Sequence, residues 1–294
     1  MNNFQLQAPD SRAEVLALLT EHADEARLIA GGTGLLNLMK QRLAFPELLV
    51  SLHRVPDLSG RVIDGEIIQI GALTRLADLE RDPIIREHLP MLCTTLAQVA
   101  SPRIRAMATL GGAVAHGDPH QDTPAALIAL GASAIAQTSH GQREIALDEL
   151  YRDYYETALE AHELITEIRI PVPTQPSAAA YLKFLPRSAE DYATVAVAVR
   201  LDLDAQTRAC QQCRIVLGSV GATPIRSQAT ESILTGKDFS AARVQQAAER
   251  AAEDTDPMSD TRGSASYKRD MTVVFVRRAL LQVAAELDLY ERTA

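Results

Sequence analysis

The stretch Arg27-Leu28-Ile29-Ala30-Gly31-Gly32-Thr33-Gly34-Leu35-Leu36 decides how this chain is read. Arg27 to Ala30 is a short apolar run, Gly31 to Gly34 a glycine loop, and Leu35, Leu36, Met39 and Leu43 follow at helical spacing, so the segment predicts strand, loop, helix. A glycine pair lets backbone N–H groups approach an anion without Cβ interference. A helix starting there adds unsatisfied donors and the positive end of its dipole. The loop is not a P-loop, since no Gly-Lys-Ser/Thr follows, nor a Gly-x-Gly-x-x-Gly fingerprint, since Asn37 stands at the third glycine. Taken alone, a plain turn explains it as well as a phosphate cradle does.

A second glycine pair, in Thr109-Leu110-Gly111-Gly112, repeats the chemistry about 80 residues later. Two anion-cradling loops have a natural shared object in a diphosphate, which points to a dinucleotide such as FAD. The chain then runs through Asp118-Pro119 to an apolar helix over 125–130, with Thr123 and Pro124 as its N-cap and first residue. Asp122 would repel a phosphate, so it faces either a hydroxyl or amide donor of the ligand or the helix start it precedes. His116 and His120 flank Asp118 without a third well-placed ligand; they read as solvent-exposed loop histidines, and no metal is expected.

Outward from these loops, 11–19 has a helical rhythm with Asp10 or Ser11 as N-cap, 48–52 and 67–73 read as strands, and 84–99 reads as a helical stretch bracketing Pro90. Residues 164–170 look like a strand, and Pro171, Pro173 and Pro176 mark the most linker-like piece. Beyond it, 193–203 and 214–220 are β-branched and strand-like, whereas 241–252 and 267–287 are helical. The fold class is α+β in several parts. A boundary is expected near Gly60, giving units 1–60, 61–172 and 177–290.

With 294 residues, 47% hydrophobic and 23% charged, the chain has the balance of a globular protein large enough for more than one core. A net charge of −9 with interspersed signs argues against a nucleic-acid partner. No stretch of about 20 apolar residues and no signal-like start is present, so a soluble, cytoplasmic protein without a membrane span is expected. Cys93, Cys210 and Cys213 are too few for a disulfide framework, and Cys210-x-x-Cys213 lacks the further soft ligands of a zinc or iron–sulfur site.

The ordered set of motifs resembles the FAD-binding medium subunits of molybdenum hydroxylases of the carbon monoxide dehydrogenase and xanthine dehydrogenase type. Residues 30–36 match the Ala-Gly-Gly motif with its Leu-Leu pair; Thr109 to Gly112, Ala115 to Pro119 and Asp122 match the second flavin motif. Further matching stretches are 40–50, 155–171, 183–199 and 259–269. The resemblance implies a two-subdomain FAD-binding region followed by a smaller α+β C-terminal domain. It implies FAD contacts at Arg27, Leu28, Ile29, Ala30, Gly31, Gly32, Thr33, Gly34 and Leu35, and at Ala108, Thr109, Gly111, Gly112, Ala115, His116, Gln121 and Asp122. Val99, Ala100 and Ser101 would lie along the flavin ring, Leu164, Ile165 and Lys183 would approach from later strands, and Tyr192 would stand near the flavin. Arg27, Lys40 and Lys183 are candidates to offset the pyrophosphate charge, with solvated surface cations as the plain alternative; Tyr192 is either a flavin cover or a core tyrosine.

Two positions depart from the family pattern: Gly34 replaces a common Asp or Ser, and Ala113 replaces a common Asn. The resemblance also implies no catalytic residue here. Molybdopterin and [2Fe–2S] clusters would sit on a large and a small partner subunit, in a dimer of heterotrimers, with electrons passing through FAD to an external acceptor. A stand-alone flavin oxidase and a scaffold that has lost FAD are the alternatives.

Overall fold

The computed structural model describes residues 3–185, 188 and 191–289. It contains three sheets that follow one another along the chain, plus a two-stranded ribbon at Tyr151–Asp153 and Glu156–Thr157. The first is parallel, in the order Gln5–Gln7, Leu48–Ser51, Ala26–Ile29. Helix Arg12–His22 covers it, capped by Ser11, whose hydroxyl accepts the Glu14 amide. Val15, Leu16 and Leu19 of that helix are buried with Leu48 and Val50 of the central strand, so the small core is what aims the adjacent strand Ala26–Ile29 and the glycine loop after it.

The second sheet is antiparallel, in the order Arg61–Asp64, Ile67–Gly71, Leu164–Pro171, Ser133–Gln137, Gln142–Ala146. Its buried face packs on a cluster of short helices. The helical stretch expected over 84–99 is two helices, Pro83–His88 and Pro90–Ala97. Pro90 lacks an N–H and forces Leu89 out of the α region (φ −134°, ψ 56°), so the proline starts a new helix instead of being bracketed by one. Helix Asp122–Leu130 likewise starts earlier than expected. Gln121, not Thr123, is the extended N-cap residue, and Pro124 falls inside the first turn.

The third sheet is antiparallel, in the order Ser177–Phe184, Val195–Leu203, Cys210–Gly218, Ile225–Arg226. Alternation along its second strand explains how two cores meet. Ala196 and Ala198 point to the cluster containing helix Asp122–Leu130, whereas Val195, Val197, Val199 and Leu201 point to helices Ala241–Glu253 and Ala265–Glu286. A sheet buried on both faces ties the C-terminal part to the middle of the chain. The Cys pair lies in this sheet: a bulge opposite Asp202 and Leu203 turns both Cys210 and Cys213 into the C-terminal core. Burial pushes the Cys210 thiol up to about 11 and the Cys213 thiol well above its ordinary value, so both are held as inert thiols. Among the described residues no helix is long and apolar enough to cross a membrane.

Candidate flavin site

A cavity of about 690 Å³ opens where the first sheet, the helix Leu110–Ala115 and the third sheet meet. That volume is within the ~300–1,000 Å³ of sites for cofactor-sized ligands. The structure brings almost all of the expected residues to its wall: 27–35, Val99, Ala100, Ala108, Thr109, Gly111, Gly112, Ala115, His116, Gln121, Asp122, Leu164, Ile165, Lys183 and Tyr192. Ser101 is not among the lining residues. Its hydroxyl instead caps the short helix Pro102–Arg105. Lys40 is exposed and also outside the wall. Sequence reading missed Leu43, Ile104 and Tyr155, which line the cavity from two loops and the short helix Pro102–Arg105 and whose spacing carries no motif.

The first glycine loop is shaped by what packs on it. A Cβ at Gly31 would lie 1.9 Å from the Met107 carbonyl oxygen, so only glycine lets the two loops touch. Gly32 sits at φ +68°, in the left-handed region. Among the described residues, the five successive amides of Gly31, Gly32, Thr33, Gly34 and Leu35 have no hydrogen-bond acceptor. Leu35 begins the helix Leu35–Lys40, so these donors form a row in the cavity wall at a helix start, an arrangement suited to an anion.

The second glycine pair differs from its expectation. It is the first turn of helix Leu110–Ala115, and its amides are engaged. Leu110 donates to Thr74 O (2.9 Å), Gly111 to Ala72 O (2.8 Å), Gly112 to the Thr109 hydroxyl (3.2 Å) and Ala113 to Thr109 O (2.9 Å). Gly111 provides space rather than donors, since its Cβ would fall 2.5 Å from that of Ala72. The departure at Gly34 has a physical reason too: a Cβ there would lie 2.4 Å from His116 Nε2. His116 is therefore not a solvent-exposed loop residue. Its ring is half-buried in the wall, edge-on to Tyr155 at 5.3 Å, and burial lowers its pKa towards the neutral form.

Asp122 is buried at the wall and accepts from Tyr181 Oη (2.5 Å) and Lys183 Nζ (2.8 Å). Burial pushes its pKa up, against the opposing pull of the Lys183 ammonium and the Tyr181 hydroxyl. Lys183 also donates to Gln98 O (3.0 Å), so this ammonium is the buried ion-pair partner of Asp122 and not a surface cation. Arg27 points its guanidinium at the Asp24 and Ala26 carbonyls (3.2 and 2.8 Å). Those carbonyls are neutral, so Arg27 keeps its positive charge at the wall beside the backbone dipoles of the glycine loop.

Tyr192 is no core tyrosine: it is 45% exposed on the wall. Its hydroxyl donates to Asp118 Oδ2 (2.8 Å), and its ring lies 5.8 Å from His120 and 5.7 Å from the Arg262 guanidinium. Burial alone would raise the Asp118 pKa, but hydrogen bonds from the His120 side chain and amide and from Tyr192 hold it below the usual carboxylate value.

A donor row without acceptors, in the wall of a cavity of mixed polarity, is the arrangement of a dinucleotide-binding protein. Comparison with known proteins makes this specific. Residues 2–173 match the FAD binding domain in molybdopterin dehydrogenase, and residues 180–283 the CO dehydrogenase flavoprotein C-terminal domain. The carbon monoxide dehydrogenase medium chain of Hydrogenophaga pseudoflava is 38% identical over 94% of this chain and 96% of its own. The 6-hydroxypseudooxynicotine dehydrogenase complex subunit alpha of Paenarthrobacter nicotinovorans is 36% identical over 95% and 93%. A solved carbon monoxide dehydrogenase from Hydrogenophaga pseudoflava, lacking the Mo-pyranopterin moiety of its cofactor, superposes with a TM-score of 0.93 at 37% identity, covering 97% of this chain and 99% of that one. The chain belongs to the FAD-binding medium-subunit family of the molybdenum hydroxylases, and is an oxidoreductase subunit.

Proposed function

We propose that FAD lies in the cavity between the three sheets, its diphosphate on the amides of Gly31 to Leu35. The observation that carries this is the row of acceptor-free amides at a helix start. The wall residues fit the rest of such a ligand. Val99, Ala100, Leu164 and Ile165 offer apolar contact, and the Asp122–Lys183–Tyr181 cluster and Tyr192 bring fixed charges and hydroxyls to the same space. Bound FAD supplies one- and two-electron chemistry; the protein binds it, orients it and limits its access to solvent.

In this reading electrons arrive from [2Fe–2S] clusters on a small partner subunit, having left a molybdenum cofactor on a large one, and pass to an external acceptor. Leu43, Phe45 and Met107, exposed at 67%, 57% and 57%, place apolar surface near the cavity, as an assembled subunit requires. A dimer of such heterotrimers in the cytoplasm is proposed, consistent with three unpaired thiols. The two relatives named above are subunits of enzymes acting on carbon monoxide and on 6-hydroxypseudooxynicotine. The test is the absorption spectrum and subunit composition of the protein from its native host. Flavin and iron–sulfur absorbance with two co-purifying chains is expected; a colourless single chain that cannot be reconstituted with FAD would contradict the proposal.

A further inference from the structure

The stretch 259–269 has no part in the cavity wall, yet it is tightly built. Asp260 and Gly263 exchange two backbone hydrogen bonds (3.0 and 3.2 Å), closing a tight hairpin just before helix Ala265–Glu286. Lys268, only 3% exposed, reaches back from that helix to Met258 O (2.8 Å) and Asp260 Oδ2 (3.0 Å). Asp260 Oδ1 accepts the Arg262 amide (2.8 Å), and the Ser259 hydroxyl accepts the Ala265 amide (2.9 Å). A Cβ on Gly263 would meet the Tyr267 ring at 2.8 Å, so the hairpin lies directly against its own helix.

A buried ammonium with two acceptors is expensive to disturb, which makes the hairpin a rigid mount. What it presents is Arg262. The guanidinium lies 5.7 Å from the centroid of Tyr192, while its ion pair with Asp260 is loose at 3.6 Å. Tyr192 is also held by Asp118, which belongs to the second flavin motif, and by the neighbouring His120. The tyrosine is therefore clamped between the C-terminal part and the middle of the chain.

We propose that Arg262 is a positioning residue for Tyr192: the 258–264 hairpin presses the tyrosine to the cavity wall, and this clamp slows the departure of FAD. The inference rests on the FAD reading above. Arg262 itself touches no part of the cavity and acts only through the ring.

The experiment measures the release of FAD from the holoenzyme by the rise in free-FAD fluorescence, after FAD content has been determined for the unaltered protein. Arg262→Ala is expected to raise the release rate about two- to fivefold, the scale of one partly exposed cation–π contact. Arg262→Lys, which keeps the cation, retains most of the slow release. In a Tyr192→Ala background, Arg262→Ala adds nothing, because the residue through which it acts is gone. Unchanged release in Arg262→Ala, or an equal rise with and without Tyr192, overturns the inference while leaving the FAD reading intact. An unaltered holoenzyme without flavin overturns both.

Discussion

Gly31→Ala is the sharpest perturbation of the site. The added Cβ would sit 1.9 Å from Met107 O, 2.6 Å from Met107 C and 3.0 Å from Ala108 Cα. All three atoms are backbone, so no rotamer change relieves the contact, and the two loops must part by about an ångström before ordinary separation is regained. Forcing atoms into such a junction typically costs about 1–3 kcal/mol, a large share of a stability of about 5–15 kcal/mol. The same displacement misaligns the amide row. Losing one charge-assisted hydrogen bond, worth about 1.5–3 kcal/mol, weakens FAD binding by roughly 10- to 150-fold. Titration of FAD into flavin-stripped protein gives the Kd, and denaturant unfolding gives the stability. An alanine variant with unaltered Kd and unaltered unfolding would refute the packing of Gly31 on Met107 and its role in the cradle.

The conflict at Gly34 is with a side chain, so it should be reparable. Gly34→Ala weakens FAD binding, and adding His116→Ala, which removes the ring 2.4 Å from the new Cβ, recovers part of the loss in a double-mutant cycle. Asp122→Asn leaves the buried Lys183 ammonium without its carboxylate; a loss of about 3–5 kcal/mol is expected in denaturant unfolding, larger than for Lys183 and Asp122 replaced together by apolar residues. Asp82 caps helix Pro83–His88 and pairs with Arg61 at 2.6 Å. Burial alone would raise its pKa, but Arg61 and the Ile84 and Ile85 amides hold it below 3.8. A depressed folded pKa stabilises above the unfolded value and is lost as pH falls through the folded one. Asp82→Asn therefore flattens the acid limb of stability below about pH 4, while costing no more than about 1 kcal/mol near neutrality, since Asn still caps the helix and only the Arg61 ion pair is lost.

The first glycine loop was legible because everything that makes it a cradle is local: an apolar run, two glycines and a helix start within ten residues. The second was only half legible. Its glycines were apparent, but the acceptors that engage its amides, Thr74 O and Ala72 O, come from a distant strand end. The split at Pro90 was a local rule misapplied, since a proline can open a helix as well as interrupt one. Lys183 was placed at the site by resemblance, but its commitment to Asp122 and Gln98 depends on a pairing between the third sheet and helix Asp122–Leu130. Arg262 lies 70 residues beyond Tyr192, and nothing in the spacing joins them.

The most direct test of the account is an experimental structure of the FAD-loaded complex, read at the diphosphate. The account predicts phosphate oxygens within hydrogen-bond reach of the amides between Gly31 and Leu35, with the Gly111 amide still bonded to Ala72 O. A diphosphate held away from that loop, or held by a Gly111 amide released from Ala72, would contradict it.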